Sequence, residues 1–118
     1  MIDADFAAHF AADWSAAWNA HDLDRILAHY SDDFAMSSPV IVRIAGEPSG
    51  RLKGKVAVGA YRARALELLP ELRFEPETTL VGVETITLCY RGARGMAAEV
   101  FFFGPERKVA RACAHYAV

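Results

Sequence analysis

The hydrophobic period of this chain changes once, near Pro70, and that switch restricts its architecture more than any other feature. Ahead of it, Phe6, Phe10, Trp14 and Trp18 recur every four residues, with alanines filling most positions between them. Residues four apart share a helical face, so this is the apolar stripe of a long helix. It starts near Asp3 or Asp5 as cap and stops around Ala20-His21. Asp22 caps a second, shorter helix, with Asp24 in its first turn, where the helix dipole favours a carboxylate. Leu23, Ile26, Leu27 and Tyr30 supply its buried face.

Ser31-Asp32-Asp33 is expected to turn the chain into a strand from Phe34 to about Ile44. Alternation puts Phe34, Met36 and Ser38 on one face of it and Ala35 and Ser37 on the other. Pro39 marks an edge strand or a kink and holds Ser38 extended. Gly46 to Gly50 is a loop by its turn residues, and Arg51 to Lys53 is a short return strand. Gly54-Lys55 opens a third helix that runs to about Leu69, buries Val58, Tyr61, Ala65, Leu66 and Leu69, and ends at Pro70.

From Leu72 onward the period is two. Four strands are expected, Arg73–Val81, Glu84–Arg91, Met96–Phe103 and Lys108–Tyr116, with turns at Gly82, at Gly92 and Gly95, and at Gly104-Pro105. Three helices followed by a run of strands is an α+β order, with the helices on one face of an antiparallel sheet. The 118 residues suit one domain, 1–118, and no repeat, linker or low-complexity segment divides them.

Charge and composition narrow the function classes. A net charge of -2 with no long basic block argues against a nucleic-acid surface. The opening MIDADFAAHF lacks the basic-then-apolar order of a signal peptide, and no uncharged run approaches the ~20 residues of a membrane span. Two cysteines, Cys89 and Cys113, are too few for a disulfide scaffold and read as reduced, buried thiols of a cytoplasmic protein. His9 and Asp13 are four apart and His29 is near Asp32-Asp33, but neither group has metal-ligand spacing. There is no phosphate loop, dinucleotide fingerprint, G-x-S-x-G elbow or zinc motif, so no metal or cofactor is expected.

The element order and several short strings resemble the nuclear-transport-factor-2-like superfamily, and within it the SnoaL-like polyketide cyclases and ketosteroid isomerases. Trp14 through Asp24 (WSAAWNAHDLD) is similar to the opening of that family. Tyr30-Ser31-Asp32-Asp33, Gly54-Lys55, Pro70-Glu71-Leu72-Arg73-Phe74 and Lys108-Val109 follow in the family's order. The resemblance implies a cone-shaped, curved, mixed or antiparallel sheet packed on three N-terminal helices, the cystatin-like α+β barrel. The open end of the cone is a ligand pocket, and the convex side of the sheet forms a homodimer. By similarity, Ile86, Leu88, Glu99, Phe101, Ala112, Ala114 and Tyr116 point into the cone, while Val100, Phe102, Arg111, Cys113 and His115 point to the convex face.

Glu99 aligns by that resemblance with the catalytic acid/base Asp of the cyclases. The stretch AAEVFFF supports the role on physical grounds: a carboxylate among Ala98, Phe101, Phe103 and Trp14 loses hydration, which raises its pKa towards neutrality. The opposing expectation is an ion pair with Arg62 on the third helix, which would lower it again. Ser38 departs from the family, because ketosteroid isomerases carry the proton-shuttling Asp before this proline. Serine is no base without a neighbour to activate it. Trp14 stands where those enzymes place an oxyanion-hole Tyr, and its indole N–H donates one hydrogen bond but exchanges no proton. Steroid isomerisation by that mechanism is therefore disfavoured, and a single-base cyclase or aldol-type reaction remains.

Trp14, Trp18, Tyr30, Phe34, Met36, Phe101 and Tyr116 are expected to form an aromatic wall with Ser38, Arg62 and Leu88. Ala110, Ala112 and Ala114 leave room on the inward face of the last strand for a flat apolar molecule, polyketide- or steroid-like. Two other readings use the same residues: a lipophilic-ligand binder without turnover, and a dimerisation module whose cone is filled.

Overall fold

The computed structural model describes residues 1–118. Its element order is α1 (Ala4–Asn19), α2 (Leu23–Leu27), β1 (Tyr30–Ser37), α3 (Pro39–Ile44), β2 (Arg51–Lys53), α4 (Lys55–Leu68), β3 (Glu75–Val81), β4 (Thr85–Gly92), β5 (Gly95–Phe103) and β6 (Val109–Tyr116). The six strands form one curled, open sheet in the order β2-β1-β6-β5-β4-β3. β1 and β6 run parallel and every other neighbouring pair is antiparallel. No helix is long and apolar enough to cross a membrane.

Capping sets the first two helices. Asp3 accepts a 2.7 Å hydrogen bond from the Phe6 N–H, and Asp22 accepts one of 3.1 Å from Arg25. The α1 stripe is buried at Phe10, Trp14 and Trp18, with Phe6 half-buried at its outer end. Leu27 meets α4 at Gly59, where a Cβ would approach Leu27 Cδ1 to 3.2 Å, so glycine lets the two helices close on each other. Asp13 binds Arg25 at 2.5 Å and lies 2.7 Å from the half-buried His29, tying α1 to the start of β1.

The structure corrects the reading of residues 30–44. Tyr30 opens a strand rather than closing a helix, and Ser31-Asp32-Asp33 lies within that strand, where its pairing with β6 is irregular. The strand ends at Ser37, and Pro39–Ile44 is helical, so the helices number four. Ser38 accepts from the Val40 N–H at 3.1 Å and Pro39 takes the first helical position. A serine cap followed by proline starts a helix, because proline's missing N–H is one the first turn leaves unbonded anyway. The remaining boundaries agree with expectation to within two residues.

Strand parity in β4, β5 and β6 follows the expected faces. Ile86, Leu88, Phe101 and Ala112 are buried on the concave side, and Val100, Phe102 and Cys113 are half-buried on the convex side. Ala110 is the exception. Phe102 pairs with Arg111 and Phe103 with Val109, so a bulge leaves Ala110 unpaired and exposed, and Val109 fills the inward position.

Candidate active site

Glu99 lies in the middle of β5, paired with Leu88 of β4 on one side and Ala114 of β6 on the other. Its side chain points from the concave face toward α1 and α4 and is 4% exposed. There it borders an inner chamber of about 40 Å³. Trp14 and Trp18 of α1, Met36 of β1, Tyr61 and Arg62 of α4, Phe74, Tyr90 of β4 and Tyr116 of β6 complete its wall. An outer vestibule of about 90 Å³ shares Trp18, Tyr61, Phe74, Tyr90 and Tyr116 with it and opens between α3, the end of α4 and the β4–β5 hairpin. Val40 and Ile44 of α3 line one side of that opening, and Arg94 sits at the other, 5.9 Å over the Tyr116 ring. Two wider hollows, of about 440 and 410 Å³, lie away from Glu99 and contain none of the chamber's residues.

Arg62 is 1% exposed, yet no carboxylate pairs with it. Its guanidinium carbon lies 4.4 Å over the Tyr30 ring, 5.5 Å over Trp18 and 5.6 Å over Phe34, so aromatic faces take the place of a counter-ion. Nη2 donates to the Tyr30 hydroxyl at 3.1 Å and approaches Met36 Sδ at 3.8 Å. Trp14 Nε1 donates to the same hydroxyl at 3.0 Å. The Trp14 N–H expected to face a ligand is therefore spent inside the wall. Trp18 Nε1, Arg62 Nη1 and Glu99 Oε2 have no hydrogen-bond partner in the protein.

Burial pushes the Glu99 carboxyl up to about 7, and the nearby Arg62 charge offsets only part of that rise. The four tyrosines of the chain, three on the chamber wall and Tyr30 behind it, are pushed up as well, chiefly by burial: Tyr30 and Tyr61 to about 12, with Tyr90 and Tyr116 also raised. They are neutral at physiological pH, so Glu99 is the group of this chamber that titrates near it.

Of the residues named from sequence, Trp14, Trp18, Met36, Arg62, Glu99 and Tyr116 share the chamber wall. Tyr30, Phe34, Leu88, Phe101 and Ala112 lie outside it in the core, and Ser38 is buried as the cap of α3. Tyr30 acts on the site from there, because it holds Arg62 and Trp14 in place. Sequence reasoning missed Tyr61, Phe74 and Tyr90 as wall residues. Tyr90 has the strand parity of Leu88 and was legible in that sense. Phe74 was not, because its position depends on Asn19, whose amide donates to the Phe74 carbonyl at 3.0 Å and accepts from its N–H at 2.7 Å.

One curled six-stranded sheet with four helices, and a small chamber at Glu99 between them, is the architecture of the nuclear-transport-factor-2-like class. A profile of the SnoaL-like domain matches residues 11–118, and the chain belongs to that family. A SnoaL-like protein of unknown function from Burkholderia thailandensis is 58% identical over 99% of this chain and 98% of its own, with a TM-score of 0.95. A candidate polyketide cyclase from Sinorhizobium meliloti shares the fold at 13% identity and a TM-score of 0.75, over 91% of this chain and 94% of its own. SalBIII, an epoxide hydrolase/cyclase-like enzyme of pyran ring formation in salinomycin, does so at 17% identity and 0.76, over 100% and 95%. No functionally curated protein matches the sequence.

Proposed function

We propose that this protein is a cofactor-free enzyme of cyclase or isomerase type, acting on an apolar, polyketide-like carbonyl compound with Glu99 as its acid/base. One observation carries the reading: Glu99 Oε2 is buried, unpartnered and on a chamber wall, with no ion pair to Arg62. A carboxyl poised near neutrality serves both halves of a proton transfer. In the first half, the C–H bond beside the substrate carbonyl breaks, Glu99 takes the proton, and the electron pair moves into the carbonyl to give an enolate. In the second, the enolate carbon either attacks another carbonyl of the same substrate, whose π electrons move to its oxygen and take the proton from Glu99, or regains that proton itself. Charge is conserved at each step, and no oxidant or reductant is needed. The names of the two enzyme-like relatives, a candidate polyketide cyclase and a cyclase-like enzyme, fit this chemistry.

The same reading places the protein in the cytoplasm, consistent with its two free thiols, and as a homodimer through the convex face, where Val100, Phe102 and Cys113 are half-buried. The test of the reaction uses acetylacetone in D2O. Proton NMR should show accelerated exchange of its central C–H with the protein, and the rate should fall to background with Glu99→Gln. Equal rates for protein and variant would rule out Glu99 as the base.

A further inference from the structure

Arg94 is the one charged residue on the wall of the outer vestibule, whose lining is otherwise chiefly aromatic and aliphatic. It belongs to the two-residue turn Ala93-Arg94 that joins β4 to β5, where Gly92 pairs with Gly95. An arginine on such a turn is free to extend into water. This one folds back over the mouth instead, its guanidinium carbon 5.9 Å from the Tyr116 ring centre. Nothing in the protein neutralises it. Arg91, earlier in the same hairpin, is held by Glu77 at 2.9 Å, whereas no carboxylate pairs with Arg94. The Tyr116 face gives a weak cation–π contact at that distance and occupies none of the guanidinium N–H donors.

The size of the site brings a substrate to this cation. The chamber and vestibule, about 40 and 90 Å³, are together smaller than the roughly 150 Å³ of an apolar cavity that takes benzene. A molecule longer than one ring, with its reacting end at Glu99, therefore reaches the mouth. Glu99 and Arg94 are five residues apart along the same hairpin arm, roughly 15 Å of extended chain, which the reach of their side chains shortens. A ring with a short side chain spans that interval. Beyond the mouth, the vestibule runs into the hollow of about 410 Å³, with which it shares Leu69, Leu72, Gly92 and Ala93. Glu71 and Arg73 both line that hollow, so its charges offset each other, and the uncompensated charge on the path is at the mouth.

We propose that Arg94 selects substrates that carry a carboxylate on the end remote from the reacting carbonyl, with the ring in the vestibule and the carboxylate on the guanidinium at its mouth. This rests on the proposed function and narrows its substrate to a compound with an apolar body and one anionic end. A guanidinium matches a carboxylate with two parallel N–H···O bonds. A phosphate carries most of a second charge, which one cation in an apolar mouth leaves uncompensated. Arg94 binds and takes no part in the proton transfer.

The probes are 4-phenylbutyrate and its neutral amide, 4-phenylbutyramide, which share one ring and one length. Binding at neutral pH is followed by the quenching of Trp14 and Trp18 fluorescence. The acid should bind about fivefold more tightly than the amide, the upper range for an exposed ion pair, and added salt should shrink the difference. Arg94 is exposed, so Arg94→Gln should fold like the natural chain, and it should bind both probes alike. Arg94→Lys should keep part of the preference. Equal affinity of the natural protein for acid and amide, or no binding of either, would overturn the proposal. A preference that survives in Arg94→Gln would also overturn it, because the carboxylate would then lie on another cation, Arg62 of the chamber. Acetylacetone exchange reads the base separately. A preference that depends on Arg94 without any exchange supports the selector and removes the base, and exchange without the preference does the reverse.

Discussion

Glu99 and Arg62 wall one buried chamber without forming an ion pair. The arginine spends Nη2 on the Tyr30 hydroxyl and lays its charge over aromatic faces, which keeps it in the core while leaving the carboxyl unclamped. A direct pair would hold Glu99 ionised and far below neutrality. Separation gives the opposite outcome, with burial outweighing the attraction.

Stability should therefore depend on pH through Glu99. Its pKa in the folded chain, about 7, is raised from 4.5, so between those values the folded state holds a proton that the unfolded state has released. This contribution is fully present below about pH 4.5 and is lost as pH rises through about 7, at no more than roughly 1.4 kcal/mol per pH unit. Glu99→Gln has no such loss. In urea titrations its stability relative to the natural protein should rise by roughly 2–4 kcal/mol between about pH 4.5 and 8. A difference that does not vary with pH would contradict the shift.

Arg62→Met should move the Glu99 midpoint further up. The substitution keeps an apolar side chain of similar length and removes the one charge that lowers the carboxyl's pKa. A midpoint that stays in place, followed by NMR, would mean that the two groups do not feel each other across the chamber.

Asn19→Ala should destabilise the fold by about 1–3 kcal/mol, because it breaks both hydrogen bonds to the Phe74 backbone. Phe74 stacks on Trp14 with ring centres 5.4 Å apart and walls the chamber, so the Trp fluorescence of the folded variant should change as well. Unchanged stability would show that Phe74 is held by packing alone.

These residues also show how much could be read from the chain. The period switch at Pro70 and the parity of β4 to β6 put Glu99 on one face with Leu88 and Phe101, because a two-residue repeat leaves little freedom once one face is buried, while the family resemblance supplied which face is concave. Residues 34–44 were misread, because Ser38-Pro39 fits both a kinked strand and a capped helix, and only the packing of Ile41 into the core chooses between them. The bulge at Ala110 leaves no mark in the alternation, since Val109 and Ala110 both suit a strand. Whether Glu99 met Arg62 depended on where Tyr30 held the guanidinium, a contact between β1 and α4 that no local pattern encodes.

Phe102→Glu tests the proposed dimer. Phe102 is half-buried on the convex face beneath Arg111, whose guanidinium carbon is 4.0 Å from its ring centre, and the change leaves the concave core untouched. Sedimentation should show a dimer for the natural protein and a monomer for the variant. A monomeric natural protein, or a variant that still dimerises, would contradict the assignment of this face.

The titration of Glu99 itself bears most directly on the account. A carbon-detected NMR titration of the side-chain carboxyl should give a midpoint of about 7, well above the 4.5 of an exposed glutamate. A midpoint at or below 4.5 would mean that the carboxyl is paired or solvated and would contradict its role as the acid/base of the chamber.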